Sequence, residues 1–275
     1  MTCGIVPDYS QLSYQSTKII LFTTQKVNSN ILKTYEHVRE ISGMETRILE
    51  FNSSLLHTPE ALCLFERLVK LSKNNGKHFV QKLLVPWISV PQIRNSKIVM
   101  LDNDVILNRP LHGLVESLGY AIVGLVKEQG VGMQRLLNTS VFNGGVQVLD
   151  LPRMRNSTEY INELEAIAQR KRNLGGLERF GDQTIYSVLF KKHPALVKVL
   201  PCGWNRQIGG WRFDAHMRVT QQHGCSWCAV LHMNDVHTKL TIGDLYNKTN
   251  ICRTLSKDRH LMMNAQPCIS CSLQY

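Results

Sequence analysis

Apolar runs alternate with helix-like periodic segments along most of the chain, which predicts a fold of alternating strands and helices. Apolar strands are expected at residues 18–24, 46–51 and 98–101. One helix is expected over residues 30–39, and another begins near Pro59, after which leucines recur at helical spacing. This order favours a three-layer α/β sandwich with a mixed, mainly parallel central sheet.

The elements predicted after the Pro59 helix rest on the same periodicity, bounded by Pro, Gly or Asp. Asp150 is placed to cap a helix that begins at Pro152, because a short side-chain oxygen can accept from the first free backbone amides. The predicted set comprises a helix over 79–88 broken by Pro86, helices over 112–118, 152–172 and 182–192, and strands over 120–125 and 145–149.

The segment from Ile98 to Leu101 is apolar at every position and leads into Asp102-Asn103-Asp104. A strand covered on both faces is typical of the middle of a parallel α/β sheet, where ligands bind beyond the carboxyl ends of strands. Alternation places Asp102 and Asp104 on one side and Asn103 on the other. Paired carboxylates suit Mg²⁺ or Mn²⁺ that carries a substrate phosphate. The structural alternative is a strand end whose Asp side chains only cap a loop.

Four further segments place polar groups beside apolar elements. A glycine pair between Asn143 and an apolar strand suits either close approach of a ligand or a plain tight turn. Asp182 opens a helix, either as its N-cap or, with Gln183, as part of a sugar site. Trp204 suits stacking on a sugar face or burial in the core. His232 ends another apolar strand and is either a third metal ligand or a structural histidine.

The 275 residues are expected to form a single domain, because no linker, repeat or low-complexity tract interrupts them. No apolar stretch is long enough to span a bilayer. No leader follows Met1, so the chain is expected to be cytosolic or to lack its targeting segment.

The net charge of +11 is spread over helices, which favours a solvated basic surface and no nucleic-acid partner.

The cysteines leave two interpretations open. Two Cys-x-x-Cys pairs, Cys225/Cys228 and Cys268/Cys271, fit a four-thiolate zinc site or disulfides in an oxidising lumen. Sequons for N-glycosylation favour the secretory compartment and therefore disulfides. The sequons begin at Asn52, Asn138, Asn156 and Asn247.

Taken together, these segments resemble the retaining glycosyltransferases of family 8, and within that family the xyloside xylosyltransferases. The resemblance runs from about Lys18 to Asp244. The glucoside xylosyltransferases and the xylosyltransferase half of the dystroglycan-modifying enzymes are similar too, but Cys-x-Trp-Asn-Arg-Gln favours the first group. The motifs are Phe142-Asn-x-Gly-Val, Gly181-Asp-Gln, Lys192-His-Pro, Trp204-Asn-Arg-Gln and His232-x-Asn234.

The resemblance implies a GT-A, Rossmann-like fold that binds a UDP-sugar through Mn²⁺, or Mg²⁺ in its place. It assigns Asp102, Asp104 and His232 to the metal. It also places Asp182 and Gln183 beside the anomeric carbon, as the catalytic pair. Donor contacts are carried over to Asp102, Asn103, Asp104, Asn143, Gly145 and Gln183, with Lys239 as a candidate, and acceptor contacts to Trp204, Asn205 and Asn234.

By the same resemblance, the reaction adds an α-1,3-linked xylose from UDP-xylose to a xylosyl-glucose stub on an epidermal growth factor repeat of a glycoprotein. It would occur in the lumen of the endoplasmic reticulum or Golgi, with a membrane anchor only outside this chain. Gln183 is a poor nucleophile, which favours front-face substitution. The family's uridine-binding first strand is represented here only by residues 2–4, so a truncated N-terminus is expected. Residues from about 250 to 275 form a tail without a counterpart.

Two other classes of protein stay open at this point. One is a catalytically inactive, lectin-like or regulatory relative that has lost the uridine subsite. The other is a basic nucleic-acid module stabilised by zinc at the Cys-x-x-Cys pairs. A glycosidase that uses Asp102 and Asp104 is disfavoured, because two residues on one face of one strand do not straddle a scissile bond.

Overall fold

The computed structural model describes residues 18–23, 45–50, 53–72, 77–102, 105–107, 111–128, 137–175, 181–207 and 229–232. Nine strands and seven α-helices lie within these ranges. The strands are β1 (Lys18–Thr23), β2 (Glu45–Glu50), β3 (Lys97–Leu101), β4 (Val105–Leu107), β5 (Val123–Lys127), β6 (Phe142–Asp150), β7 (Val197–Leu200), β8 (Arg206–Gln207) and β9 (Val230–His232). The helices are α1 (Pro59–Leu71), α2 (Lys77–Leu83), α3 (Pro91–Arg94), α4 (His112–Glu116), α5 (Leu151–Asn156), α6 (Thr158–Ala168) and α7 (Asp182–Lys192).

The described strands form three sheets, two of them of mixed direction and one parallel. The largest has the order β3-β6-β5-β7, and the others are β1-β2 and β4-β9-β8. Three pairings are parallel, β1 with β2, β5 with β7 and β8 with β9, while β3 with β6, β5 with β6 and β4 with β9 are antiparallel. The parallel β1-β2 pair agrees with a β-α-β opening, although the helix predicted over 30–39 lies outside the described residues.

The prediction that β3 lies in the middle of a parallel sheet is wrong. This strand pairs antiparallel with β6 and lies at one end of the four-stranded sheet. It is nevertheless apolar on both faces, because Ile98 and Met100 pack against one core while Val99 and Leu101 pack against another. A strand covered on both faces is typical of parallel sheets, but β3 shows that a strand between two cores can equally pair antiparallel.

Two hydrophobic cores lie on opposite faces of the four-stranded sheet. All nine residues of β6 are buried, and alternation along this strand supplies both cores. Leu149 packs with helices α1, α2, α6 and α7, whereas Val146 and Val148 pack with α4, β4 and β9. In the described part of the chain, no helix combines the length and apolar character needed to cross a membrane.

The helix predicted over 152–172 is divided into α5 and α6. Asp150 caps α5 as predicted, and its Oδ1 accepts from the Arg153 amide at 3.1 Å. Ser157 is extended between the two helices, and its hydroxyl accepts from the Tyr160 amide at 3.2 Å. Serine is a favoured N-cap, so Ser157 begins α6 and ends α5 at the same point.

Two other predicted boundaries differ from the structure. The helix predicted over 79–88 ends at Leu83, and a 3-10 turn follows at Val85–Trp87, because Pro86 cannot donate a helical hydrogen bond. The strand predicted over 120–125 begins at Val123. Residues before it form a turn in which Gly119 has a φ of 59°, a conformation that glycine adopts readily.

Candidate functional site

Four ionisable side chains from separate elements meet beside β6. Lys82 of α2 places Nζ 2.5 Å from Oδ1 of Asp102, which directly follows β3, and 3.7 Å from Oδ2 of Asp182 in α7. His232 of β9 places Nε2 3.9 Å from Oδ2 of Asp102. The structure thus brings together three predicted site residues, Asp102, Asp182 and His232, that are distant in sequence. Lys82 joins them.

The cluster lies where β6 departs from regular pairing. The register with β5 shifts between Leu125 and Val126, so Gly144, Gly145 and Val146 fall outside the β5 ladder. Such bulges bend a strand locally and are common beside active sites. The irregular part of β6 is therefore the backbone on which the cluster is built.

The glycine pair of β6 makes room for two side chains of the cluster. A Cβ on Gly144 would overlap the carboxyl group of Asp182, and a Cβ on Gly145 would overlap the imidazole of His232. Both glycines lie inside the strand, so the alternative of a tight turn is wrong. Glycine is required at both positions because any other residue would displace a polar side chain from the strand.

Asp182 is a buried carboxylate whose hydrogen bonds are incomplete. It is 1% exposed, and its Oδ2 accepts from Nε2 of Gln147 at 2.7 Å. Its Oδ1 has no hydrogen-bond partner among the described residues. Burial raises the pKa of Asp182 to about 6 against the opposing effect of Lys82. Asp182 is the first residue of α7 and Gly181 holds the N-cap position, so the proposed capping role is wrong.

Two buried amides connect His232 to the β6 backbone. Oδ1 of Asn205 lies 3.0 Å from Nδ1 of His232, and Nδ2 of Asn205 donates to Oδ1 of Asn143 at 2.8 Å. The same Asn143 oxygen accepts from the Gly145 amide at 2.9 Å. Nδ2 of Asn143 donates to Oε2 of Glu128 at 2.9 Å. A continuous hydrogen-bonded chain therefore runs from Glu128 to the imidazole.

Asp102 and His232 offer one oxygen and one nitrogen to a divalent cation. Metal-ligand bonds of about 2.1 Å allow two donors of one ion to lie at most about 4.2 Å apart, and their 3.9 Å separation meets this limit. Across the described ranges no group of three or more His, Cys, Asp or Glu side chains is close enough to form a metal site. Asp104, the third predicted ligand, lies outside those ranges. The two described donors fit Mn²⁺ or Mg²⁺, and the complete set stays a prediction.

The remaining predicted site residues fall into two groups. Gln183 is half-buried in the first turn of α7, and its backbone oxygen accepts from the hydroxyl of Ser187 at 2.5 Å. Trp204 is half-buried in the 3-10 turn Cys202–Asn205 and packs partly against the second core. Residues outside the described part of the chain are Asn103, Asp104, Asn234, Lys239, Cys225, Cys228, Cys268 and Cys271.

Lys82, Gln147 and Glu128 are site residues that are not among those predicted from the sequence. Gln147 carries a usable signal, because it is the polar residue in the apolar run Val146-Gln-Val-Leu149, and buried polar groups need partners. Lys82 and Glu128 carry none, since a lysine in a helix and a glutamate after a strand are ordinary surface residues. Only the packing of α2 and β5 against β6 brings them to the site.

Comparisons with known proteins concern the fold of this chain and the proteins to which its sequence is related. No protein-family model matches the chain. It is 24% identical to xyloside xylosyltransferase 1 of Mus musculus over 226 residues, which are 70% of this chain and 57% of that protein. It is 28% identical over 147 residues to the xylosyl- and glucuronyltransferase LARGE2 of Mus musculus, covering 49% of this chain and 21% of that protein. The crystal structure of mouse xyloside xylosyltransferase 1 matches with a TM-score of 0.58 at 20% identity, covering 79% of this chain and 84% of that one.

These likenesses confirm the resemblance to the family 8 xylosyltransferases and the α/β fold of the GT-A glycosyltransferases. The relationship rests on sequence, and the crystal structure supports the fold. The chain spans 57% of the length of the mouse xylosyltransferase, so the activity of the whole protein is a separate question.

Proposed function

We propose that this GT-A-fold relative of the xyloside xylosyltransferases transfers a sugar from a UDP-sugar to a glycan acceptor, with retention of configuration and with Mn²⁺ or Mg²⁺. The finer proposal is that UDP-xylose donates an α-1,3-linked xylose to a xylosyl-glucose stub on an epidermal growth factor repeat of a glycoprotein. The observation that carries the proposal is the meeting of Lys82, Asp102, Asp182 and His232 beside the β6 bulge.

The metal site would be formed by Asp102, Asp104 and His232. A bound divalent cation supplies positive charge for the diphosphate that leaves the sugar. Lys82 adds a second positive charge, since its Nζ lies against both carboxylates and also donates to the Gly144 oxygen at 3.1 Å. Fixed charges in a buried site stabilise a charged transition state without having to reorganise.

Asp182 and Gln183 are assigned to the sugar. Oδ1 of Asp182 has no partner among the described residues and can accept a hydrogen bond from a sugar hydroxyl, while Gln147 holds the other oxygen. Gln183 is a neutral amide, so it orients and stabilises the oxocarbenium-like state and does not attack the sugar. In the front-face reaction the departing phosphate oxygen takes the proton of the acceptor hydroxyl as the new glycosidic bond forms on the same face.

The remaining donor and acceptor contacts are proposed because these residues match the family motifs given above. Asn103, Asn143, Gly145 and Lys239 are proposed donor contacts. The acceptor contacts proposed on the same ground are Trp204, Asn205 and Asn234.

A secretory location is proposed from the chemistry of the surface and the cysteines. The sequon residues Asn138 and Asn156 are exposed, as glycosylation in the lumen of the endoplasmic reticulum or Golgi requires. Cys202 is disulfide-bonded, which agrees with an oxidising compartment.

A donor screen tests the proposed activity. Sugar nucleotides are offered with a xylosyl-glucose acceptor to the chain, and to a chain extended upstream. We expect release of UDP and transfer of xylose, reduced at least about a hundredfold in Asp104→Ala and unchanged in Glu66→Ala, which removes an exposed carboxylate from α1. No transfer from any donor, with UDP still bound, would instead support a catalytically inactive binding protein of the same fold.

A further inference from the structure

We propose that the hydrogen-bonded chain from Glu128 through Asn143 and Asn205 selects one tautomer of the neutral His232 ring, with the hydrogen on Nδ1 and the lone pair on Nε2. Nε2 is the nitrogen that lies 3.9 Å from Asp102. The three chain residues are positioning residues, because they act through the imidazole. The use of the lone pair for a divalent cation rests on the proposed function, whereas the tautomer itself does not.

The direction of the chain is fixed at Asn143. The Gly145 amide can only donate, and the Glu128 carboxylate can only accept. Oδ1 of Asn143 accepts from the Gly145 amide at 2.9 Å, and Nδ2 of Asn143 donates to the Glu128 carboxylate at 2.9 Å. Turning this amide over would set donor against donor and acceptor against acceptor, and would lose both bonds.

The fixed amide of Asn143 dictates the orientation of Asn205. Oδ1 of Asn143 is an acceptor, so Asn205 must present its Nδ2, which lies 2.8 Å away. The Asn205 oxygen is then turned to Nδ1 of His232 at 3.0 Å. A carbonyl oxygen only accepts, so Nδ1 must carry the hydrogen, and in the neutral ring Nε2 carries the lone pair.

Burial makes this arrangement rigid. Asn143 and Asn205 are 0% exposed and His232 is 3% exposed, so water does not offer the amides an alternative partner. Turning either amide would leave buried polar groups unpaired, at a cost of about 1–3 kcal/mol each. A metal-binding imidazole commonly donates its other N–H to a carbonyl or carboxylate, which fixes ring and tautomer.

The inference gives Asn143 and Asn205 a different role from the one carried over by resemblance. Both ends of the Asn143 amide bond to protein groups, and Asn205 uses its oxygen and its nitrogen in the same chain. Their side chains orient His232, which is a role in addition to the sugar contacts proposed for them above.

Nitrogen-15 NMR of the metal-free protein tests the tautomer, with His232→Gln identifying the signals of this ring among the ten histidines. At a pH where the ring is neutral, we expect Nδ1 to show the shift of a protonated nitrogen and Nε2 that of an unprotonated one. Asn205→Asp keeps an acceptor for Nδ1 and should keep this pattern. Asn205→Leu removes the acceptor and should give a mixture of tautomers.

Tyr160→Phe is the control for loss of a buried hydrogen bond, because the Tyr160 hydroxyl donates to the Leu83 oxygen and not to a residue of the chain from Glu128 to His232. It should leave the ring signals unchanged. A wild-type ring protonated on Nε2, or an unchanged tautomer in Asn205→Leu, would overturn the inference.

Binding of Mn²⁺ alone gives a second measurement. Asn205→Leu should weaken it by about 10- to 100-fold, the usual effect of losing such a supporting partner, and Asn205→Asp should weaken it less. If the predicted tautomer is present but wild-type protein binds no Mn²⁺, the proposed function fails and the tautomer assignment survives. Equal affinities of wild type and Asn205→Leu would contradict the positioning role.

Discussion

Two buried carboxylates in this molecule are held in opposite ways. Glu163, in α6, is 2% exposed, and both of its oxygens are bonded. Arg172 donates to them at 2.5 and 2.9 Å and Lys192 of α7 at 2.8 Å. Burial raises the pKa of Glu163, but the hydrogen bonds from Arg172 and Lys192 outweigh it and lower the pKa to about 2. Asp182 is equally buried, has one oxygen without a partner among the described residues, and has a pKa raised to about 6.

The difference is the one expected between a structural carboxylate and the functional carboxylate that we propose Asp182 to be. A buried charge is tolerated when its hydrogen bonds are complete, and Glu163 meets that condition while it joins α6 to α7. Asp182 does not meet it. An incompletely bonded, strongly shifted acid beside other charged groups is typical of a site that a substrate completes.

The largest expected contrast is in turnover. Asp182→Asn should lower kcat/KM by at least about a hundredfold, because it alters a polar group aimed at the transition state. Glu163→Gln should leave kcat/KM of the folded protein within about twofold, because Glu163 lies outside the cluster. Initial rates, normalised to the folded fraction by circular dichroism, measure both. Similar losses in the two variants would remove the functional distinction between these carboxylates.

The next contrast is the pH dependence of stability in metal-free protein. The pKa of Asp182 is about 6 when folded, above its ordinary value of 3.8, so its contribution is fully present below pH 3.8 and is lost as pH rises through 6. Relative to Asp182→Asn, which does not titrate, wild type should lose about 3 kcal/mol of unfolding free energy between these limits. Urea unfolding at several pH values measures this, and a flat difference would contradict the raised pKa.

Glu163 should show an effect of comparable size and opposite sign. Its folded pKa of about 2 lies below the ordinary 4.5, so its contribution is present above pH 4.5 and is lost as pH falls through 2. Glu163→Gln should therefore lower the unfolding free energy by about 3 kcal/mol at pH 7, the free energy that corresponds to this pKa shift. The difference from wild type should shrink in acid. If the difference in unfolding free energy between wild type and Glu163→Gln grows in acid, the lowered pKa of Glu163 is contradicted.

Sequence reasoning finds the parts of the site that end strands or begin helices. Asp102 follows an apolar run, His232 ends another, and Asp182 opens a periodic helix, so each is visible to pattern analysis. The glycine pair is visible too, but its purpose is not. Only the structure shows that the pair admits Asp182 and His232 against β6.

The features that sequence reasoning misses depend on packing between distant elements. The direction of β3 is hidden because this strand is covered on both faces, as in a parallel sheet, while it pairs antiparallel with β6. The sequence does not distinguish Lys82 from a surface lysine in a helix, and Lys82 reaches the site because α2 packs beside β6. The roles of Glu128 and Asn205 depend on hydrogen-bond direction along a chain of four residues, which no local pattern encodes.

A calorimetric titration of UDP into the protein, with and without Mn²⁺, tests whether Asp102 and His232 form a metal-dependent site for the UDP-sugar. We expect binding heat that requires the metal and is lost in Asp102→Ala, while Glu66→Ala retains it. No metal-dependent heat in wild type, or equal heat in wild type and Asp102→Ala, would contradict a UDP-sugar site built on Asp102 and His232.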